Sequence, residues 1–240
     1  AVWDDTYGGN SGDGSTRWRS IWLNGSGSVM DYTLVRYGGR SSSSPYYDNM
    51  VRIGSGSAVR NSTLENLNGS TSYYYGAVAV GSGGELRNSV VRNNPYGVAV
   101  TGSGATLVGN TVTNNTYPVV HTSPGVQVSY IGNDLGGNTY QAVVLPGGAI
   151  STNVTLSPPD VLGLAYIVWD SITVNAGSTL TIQPGTVVKF NPETYLNVNG
   201  VLLAQGTSSE PIVFTAVWDD TYGGNSGDGS TRWRSIWLNG

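Results

Sequence analysis

Hydrophobic positions along the chain fall into short runs of three to six residues, and glycine, serine or asparagine separates one run from the next. Several runs begin with a tyrosine, and these tyrosines recur at a nearly constant interval: Tyr75, Tyr96, Tyr117 and Tyr140. The runs show no helical periodicity, which is typical of short β-strands. A regular period of roughly 20–50 residues made of such strands indicates a solenoid.

A glycine turn and a second strand follow these runs. The tripeptide Gly-Ser-Gly recurs at 25–27, 54–56, 81–83 and 102–104. Glycine and asparagine adopt the left-handed conformations that bend a chain sharply between two strands. A coil of this length therefore closes as two or three short strands. The sequence predicts an all-β chain that folds as a parallel β-helix.

One polar residue recurs within the second strand of successive coils: Asp31, Asn61, Asn88, Asn110 and Asn133. On stacked coils such side chains would form an internal ladder, in which each amide donates to one neighbour and accepts from the next. The ladder avoids the cost of burying unpaired polar groups. The alternative is that these residues are ordinary surface turn residues. Because their spacing is regular, we expect the ladder.

Residues 216–240 repeat residues 1–25 letter for letter, at an offset of 215. Solenoid packing tolerates substitution and does not require identity, so the exact copy indicates a tandem array. We interpret the chain as one 215-residue period plus a 25-residue overlap. Residues 1–145 would form coils with glycine turns and the ladder, and residues 146–240 would begin the next unit. One screw operation, of about ten coils and roughly 45–50 Å, should then relate the two copies.

Composition excludes several functional classes. The chain has no cysteine, so a disulfide or thiolate–metal framework is excluded. Its formal net charge is −4, and no basic patch is present to bind nucleic acid. No apolar stretch reaches the ~18–20 residues that a membrane-spanning helix needs.

The C-terminal half carries a specific family resemblance. The residues concerned are Ile172–Val174, Gly177–Phe190, Leu196–Thr207, Pro211–Thr215, the acidic insert from Asp219 to Gly229, then Trp233, Ile236 and Leu238, and Tyr37–Gly39 on the next coil. Together they resemble the right-handed parallel β-helix repeat domains of large secreted bacterial and archaeal surface proteins. The resemblance implies a pectate-lyase-like fold and an extracellular or cell-surface location. No lyase site can be matched, and such domains serve as stalks, adhesins and passengers alike, so the fold does not fix an activity.

Residues that could carry catalysis are few and scattered. His121 is the only histidine, and no motif supplies the partners that a Ser-His-Asp triad needs. A polysaccharide hydrolase needs two carboxylates at a controlled separation. Asp48, Glu65, Glu85 and Asp134 lie on different coils without a repeated pairing. We expect no catalytic residues and no enzymatic activity.

The acidic insert is the best candidate for a binding site. Its oxygen-bearing side chains are Asp219, Asp220, Asn225 and Asp228, which correspond to Asp4, Asp5, Asn10 and Asp13 in the first copy. Calcium takes about six to eight oxygen ligands, so calcium is the one cofactor that the insert suggests. The alternative is a solvated loop without a metal, since the closing glutamate of a calcium loop is missing.

Two further features concern the surface. The alternation in Trp18–Leu23 predicts a half-buried strand, so core packing is the favoured role of its tryptophans, and any tryptophan that faces outwards is a candidate for sugar stacking. N-glycosylation sequons begin at Asn68, Asn114 and Asn153, in turns or an exposed segment.

These features favour a mechanical function. Each coil of a solenoid contacts only its neighbours, so identical units in series lengthen a stiff rod without a new core. We expect an extracellular filament, stalk or adhesin whose partners are other copies of the unit, joined end to end. The alternative is a protein that binds or degrades polysaccharides such as surface glycans. That function would need aromatic or acidic side chains clustered on one face of several coils.

Overall fold

The computed structural model describes residues 18–39, 49–67, 76–160, 163–229 and 232–239. Within these ranges the chain forms 25 short strands, and adjacent strands of each sheet run parallel. The predicted all-β parallel β-helix is therefore confirmed. The described ranges contain no helix that could span a membrane.

One sheet, which we call sheet A, runs the length of the solenoid and has nine strands in chain order. Its strands are β1 (Ile21–Leu23), β4 (Val51–Ile53), β7 (Val78–Val80), β10 (Tyr96–Val100), β13 (Tyr117–His121), β15 (Ala142–Leu145), β18 (Ala165–Val168), β21 (Val187–Phe190) and β24 (Val213–Ala216). Because the order never reverses, each successive strand of sheet A marks one further coil.

Shorter sheets complete the coils, and they change partway along the chain. The first coils continue into sheet B, with β2 (Val29–Asp31), β5 (Ala58–Arg60), β8 (Glu85–Arg87), β11 (Ala105–Val108) and β14 (Val128–Ile131), and then into sheet C, with β3 (Leu34–Arg36), β6 (Thr63–Glu65), β9 (Val90–Arg92) and β12 (Thr111–Thr113). Later coils continue into sheet D, with β16 (Gly148–Ile150), β19 (Ile172–Val174), β22 (Tyr195–Val198) and β25 (Ser235–Leu238), and then into sheet E, with β17 (Val154–Leu156), β20 (Thr179–Ile182) and β23 (Val201–Ala204). The side sheets therefore change between residues 131 and 148, while sheet A continues.

Alternation along each strand divides the side chains between core and surface. In sheet A the parallel register aligns Ile53, Val80 and Val100 as one buried inward column. Parallel stacking places like side chains directly above one another, which gives the dense packing of a protein interior. The core is thus a set of columns along the solenoid axis.

One residue with a left-handed conformation forms the corner between sheets B and C. The corner residues are Tyr32, Asn61, Asn88, Gly109 and Gly132, with φ between 46° and 62°. Asparagine and glycine tolerate this region better than other residues do. A sharp bend is therefore made without a long loop.

The first coils are longer than the tyrosine interval suggested. Ile21 pairs with Val51, and Val51 in turn pairs with Val78, so each of these coils contains several residues more than the coil that separates Tyr96 from its partner Tyr117. The prediction of about ten coils per period is wrong, because the nine strands of sheet A already extend from Ile21 to Ala216.

Candidate functional site

An internal polar ladder lies at the corner between sheets B and C. Its members Ser62, Ser89, Asn110 and Asn133 are buried. Each side-chain oxygen accepts the backbone N–H of the preceding member: Ser89 from Ser62 (3.2 Å), Asn110 from Ser89 (3.0 Å) and Asn133 from Asn110 (3.0 Å). The Nδ2 of Asn110 also donates to the carbonyl of Leu86 (2.9 Å). These hydrogen bonds join four coils along the axis.

This ladder does not contain three of the residues predicted for it. Asn110 and Asn133 hold ladder positions, whereas Asp31 and Asn88 are exposed and Asn61 is half-buried. The placement of Asp31, Asn61 and Asn88 inside the ladder was therefore wrong. Asn61 and Asn88 are the left-handed corner residues themselves, one position before the ladder. A side chain at that corner points outwards, and Asn61 Nδ2 donates to Asp31 Oδ1 at the surface (2.8 Å).

A second ladder, which the sequence analysis missed, follows sheet C. Asn115 Oδ1 accepts the backbone N–H of Asn94 (3.0 Å), and Asn138 Oδ1 accepts that of Asn115 (2.9 Å). All three asparagines are buried. The signal was the doubled asparagine at 93–94 and 114–115: the first residue of each pair has positive φ, and the second points inwards.

The acidic insert lies against the outer face of sheet A. The buried Lys189 donates from Nζ to the carbonyl of Gly224 (2.5 Å), and the backbone N–H of Gln141 donates to the carbonyl of Asn225 (2.5 Å). Burial lowers the pKa of Lys189, and the nearby Asp220 opposes that shift. The insert is therefore tied to residues of two earlier coils.

The insert and neighbouring aromatic side chains cover an apolar outward column. Val120, Val144 and Ile167 face away from the core on successive strands of sheet A, yet each is fully buried. Val217, two residues before the insert, belongs to the same cluster. A structural role for the insert, as a cover for this column, was not predicted.

Among the residues predicted to bind calcium in the second copy, Asp219 forms hydrogen bonds within the chain. Asp219 accepts the hydroxyl of Thr215 (2.6 Å) and the backbone N–H of Thr221 (3.1 Å), and these bonds lower the pKa of Asp219. Within the described ranges, no group of three or more His, Asp or Glu side chains is placed to hold a metal ion. The first-copy candidates, Asp4, Asp5, Asn10 and Asp13, lie outside the described residues. Calcium binding stays a prediction, and titrating calcium while following the melting temperature would test it.

His121 is part of the core. It is buried in register with Val100, and its Nε2 forms a 2.8 Å hydrogen bond with the hydroxyl of Tyr130. Burial lowers the pKa of His121 to about 4. The imidazole is therefore neutral at physiological pH and packs as a core side chain.

A row of aromatic side chains crosses several coils on the outer side of sheet A. Tyr96, Tyr117 and Tyr140 stack with ring centroids 6.0 and 4.8 Å apart, and Trp169 meets Tyr117 edge-on at 5.7 Å. With Asp228 of the insert, these four residues line an open cavity of about 410 Å³. We call this cavity the aromatic groove. Aromatic side chains with a few polar groups among them are a common lining of ligand pockets.

The remaining surface candidates are placed as follows. Trp22 is 45% exposed, with the guanidinium of Arg52 5.3 Å from its ring, whereas Trp18 packs against the core. Asn114 and Asn153 are exposed, which a glycosylation site requires. Asn68 lies outside the described residues.

The first and last coils leave core side chains incompletely covered. The inward column of sheet B runs Met30, Val59, Leu86 and Leu107; the last three are at most 1% exposed, but Met30 is only partly buried. At the other end Leu202, in sheet E, is only partly buried too. One inward column of sheet A runs from end to end, from Ile21 to Phe214, and only these two terminal members are partly buried. Strands β23 and β24 are also edge strands of their sheets.

Comparison with known proteins adds little. No family model matches the chain, and no solved structure matches it. The protein bark beetle of Drosophila melanogaster is 46% identical over 48 residues, which is 20% of this chain and 2% of that protein. The chain therefore spans a small fraction of that relative, and the match shows no family.

Proposed function

We propose that the chain is a structural, non-enzymatic unit that joins end to end with copies of itself into an extracellular rod, as in a filament, stalk or adhesin. The observation that carries the proposal is the partial burial of Ile21 and Phe214, which begin and end an inward column of sheet A that is buried in every coil between them. A further coil on each end would cover these side chains and pair the open strand edges. The surface location rests on the resemblance of segments between Ile172 and Leu238, together with Tyr37–Gly39, to secreted surface proteins.

The charge distribution supports head-to-tail joining. The described residues up to Asp134 carry six arginines and four acidic residues, whereas those from Leu135 onwards carry three basic and seven acidic residues. Opposite charges steer unlike ends together and disfavour contact between like ends. The longer-range part of this preference weakens as salt screens the charges.

The stability of a two-period chain tests the proposal. In a stacked array each interface adds to the free energy of unfolding, so two periods should unfold at higher urea concentration than one. Val201 N–H donates to the carbonyl of Ser178 within sheet E, and by alternation the N–H of Ala204 faces the open edge. Ala204→Pro in the first period should therefore remove the gain without disturbing the period itself.

Ala204→Ser is the matched control and should keep the gain. Equal urea midpoints for one and two periods would contradict end-to-end stacking, because independent beads on a string unfold alike.

A second candidate function, polysaccharide binding, is supported by the aromatic groove. Its rings and one carboxylate are clustered over several coils, which is the arrangement that this alternative requires. Trp169→Ala should weaken retention of the chain in polysaccharide-containing native gels. Tyr32→Asn is the control, because Tyr32 is an exposed aromatic residue at the corner between sheets B and C, away from the groove. Unchanged retention of Trp169→Ala across a panel of neutral and charged polysaccharides would contradict it.

A further inference from the structure

The two copies of the repeated segment occupy different sheets. Strand β1 is the first strand of sheet A and pairs with β4, Ile21 opposite Val51. Strand β25, which has the same sequence, is the last strand of sheet D and pairs with β22, Ile236 opposite Leu196. In a tandem array one segment must make both sets of contacts at once, since it ends one unit and begins the next.

The side-chain orientation is the same in both copies. Ile21 and Ile236 pack against the core, whereas Trp22 and Trp237 point outwards and are 45% and 46% exposed. The strand therefore needs no flip to change partners. A register slip of one residue would have reversed this orientation.

The backbone groups used in the two copies do not compete. In the first copy Ile21 N–H donates to the carbonyl of Met50 (2.8 Å), and the carbonyl of Leu23 accepts the N–H of Gly54 (2.9 Å). In the second copy Asn239, which corresponds to Asn24, donates its N–H to the carbonyl of Val198 (2.8 Å). Alternate residues of a strand face opposite neighbours. One strand can thus pair with β22 before it and β4 after it.

The tryptophan that precedes the strand contacts a different neighbour in each copy. Trp233 stacks on Phe190 of the preceding coil, with ring centroids 4.6 Å apart. Trp18, its equivalent, donates from Nε1 to the carbonyl of Arg36 on the following strands (3.0 Å) and packs so closely on Gly38 that a Cβ there would lie 2.4 Å from the ring. In an array, one indole side chain would therefore lie between two units and contact both.

We infer that sheet D of one unit continues as sheet A of the next, so that each unit is turned by one side of the coil relative to the unit before it. This inference rests on the proposed end-to-end assembly. Strand β23 of sheet E would then lie under the next unit's β2, and β24 of sheet A under its β3. The order in which the chain visits the sheets is preserved, because sheets D, E and A of one unit would continue as sheets A, B and C of the next unit.

The turn count follows from the topology. Nine strands of sheet A give eight full turns from β1 to β24, and β25 follows β24 by one of the three sides. One period is thus eight and one third turns. After three periods, the same sheet would again lie on the same side of the rod. With coils ~4.8 Å apart the rise is about 40 Å per period. The aromatic groove would then appear on a different side of the rod in each successive unit.

Disulfide trapping in a two-period chain tests the inference, and the absence of natural cysteines makes the background clean. Neighbouring Cα atoms in a sheet lie within disulfide range. The pair Asn197→Cys with Trp237→Cys should oxidise as fully as the control pair Thr173→Cys with Asn197→Cys, which are neighbours inside sheet D. The pair Thr215→Cys with Trp237→Cys, which joins sheet A directly to sheet A, should stay reduced.

The outcomes separate the two proposals. Oxidation of the Thr215–Trp237 pair instead would overturn the turned junction and leave end-to-end stacking intact. If neither junction pair oxidises while the control does, the strand does not dock on the preceding unit, and both proposals are wrong.

Discussion

At the corner between sheets B and C, one residue turns the chain and the next points inwards, so neighbouring polar residues have opposite roles. Asn110→Ala should leave the N–H of Ser89 without its acceptor and should lower the free energy of unfolding by about 1–3 kcal/mol. Asn88→Gly is the control, because Asn88 is exposed and glycine holds the same corner position in the next two coils. The control should change stability by less than about 0.5 kcal/mol. Urea unfolding measures both, and similar losses in the two variants would contradict the ladder.

His121 gives the protein a specific pH dependence. Its pKa in the folded state is about 4, below the value of about 6.5 expected in the unfolded chain. The unfolded chain therefore binds a proton first as pH falls, so stability should decline between about pH 6.5 and 4, by roughly 3 kcal/mol.

His121→Leu places an apolar side chain in the apolar column. It should remove the loss of stability that His121 causes as pH falls, while any loss caused by protonation of carboxylates should remain. Urea midpoints of both proteins between pH 7 and 4 provide the measurement. Parallel curves for the two proteins would show that His121 is not buried in neutral form.

The sequence could identify the inward residues only partly. Spacing located Asn110 and Asn133, because a regular period marks stacked positions. It failed at Asn61 and Asn88, because asparagine suits both the left-handed corner and the ladder one residue later. Only the backbone conformation distinguishes the two positions.

The acidic insert is the element whose position the sequence did not reveal. A Cβ at Gly223 would lie 2.8 Å from the Cβ of Ala165, and φ is +67° there. Gly223→Val should therefore lift the insert from sheet A and increase proteolytic cleavage within residues 219–229 severalfold. Tyr222→Ala, which changes an exposed side chain beside it, should leave the cleavage rate unchanged. Equal cleavage of the two variants would contradict the cover.

Strands and coils were predictable because their signals are local: short apolar runs recur along the chain, and a glycine turn and a corner asparagine or glycine accompany several of them. The position of the insert depends on contacts between distant residues, such as Lys189 with Gly224 and Gln141 with Asn225. The change from sheets B and C to sheets D and E likewise depends on how whole coils stack. A single sequence pattern does not encode such contacts.

The described part of the chain is a stack in which each coil contacts the coils beside it, so a solenoid of this kind can lengthen without a new core. Exposed strand edges at both ends would favour uncontrolled association in an isolated unit. In an array the neighbouring unit covers them. The proposed array would account for the partial burial of Ile21 and Phe214 at the two ends of a sheet A column that is buried between them.

Small-angle X-ray scattering from chains of one, two and three periods tests the rod most directly. The account predicts that each added period lengthens the particle by about 40 Å, while the radius of gyration of the cross-section stays constant. Increments well above this value, or a cross-section that grows with each period, would mean that the units are linked flexibly or packed side by side, and would contradict the rod.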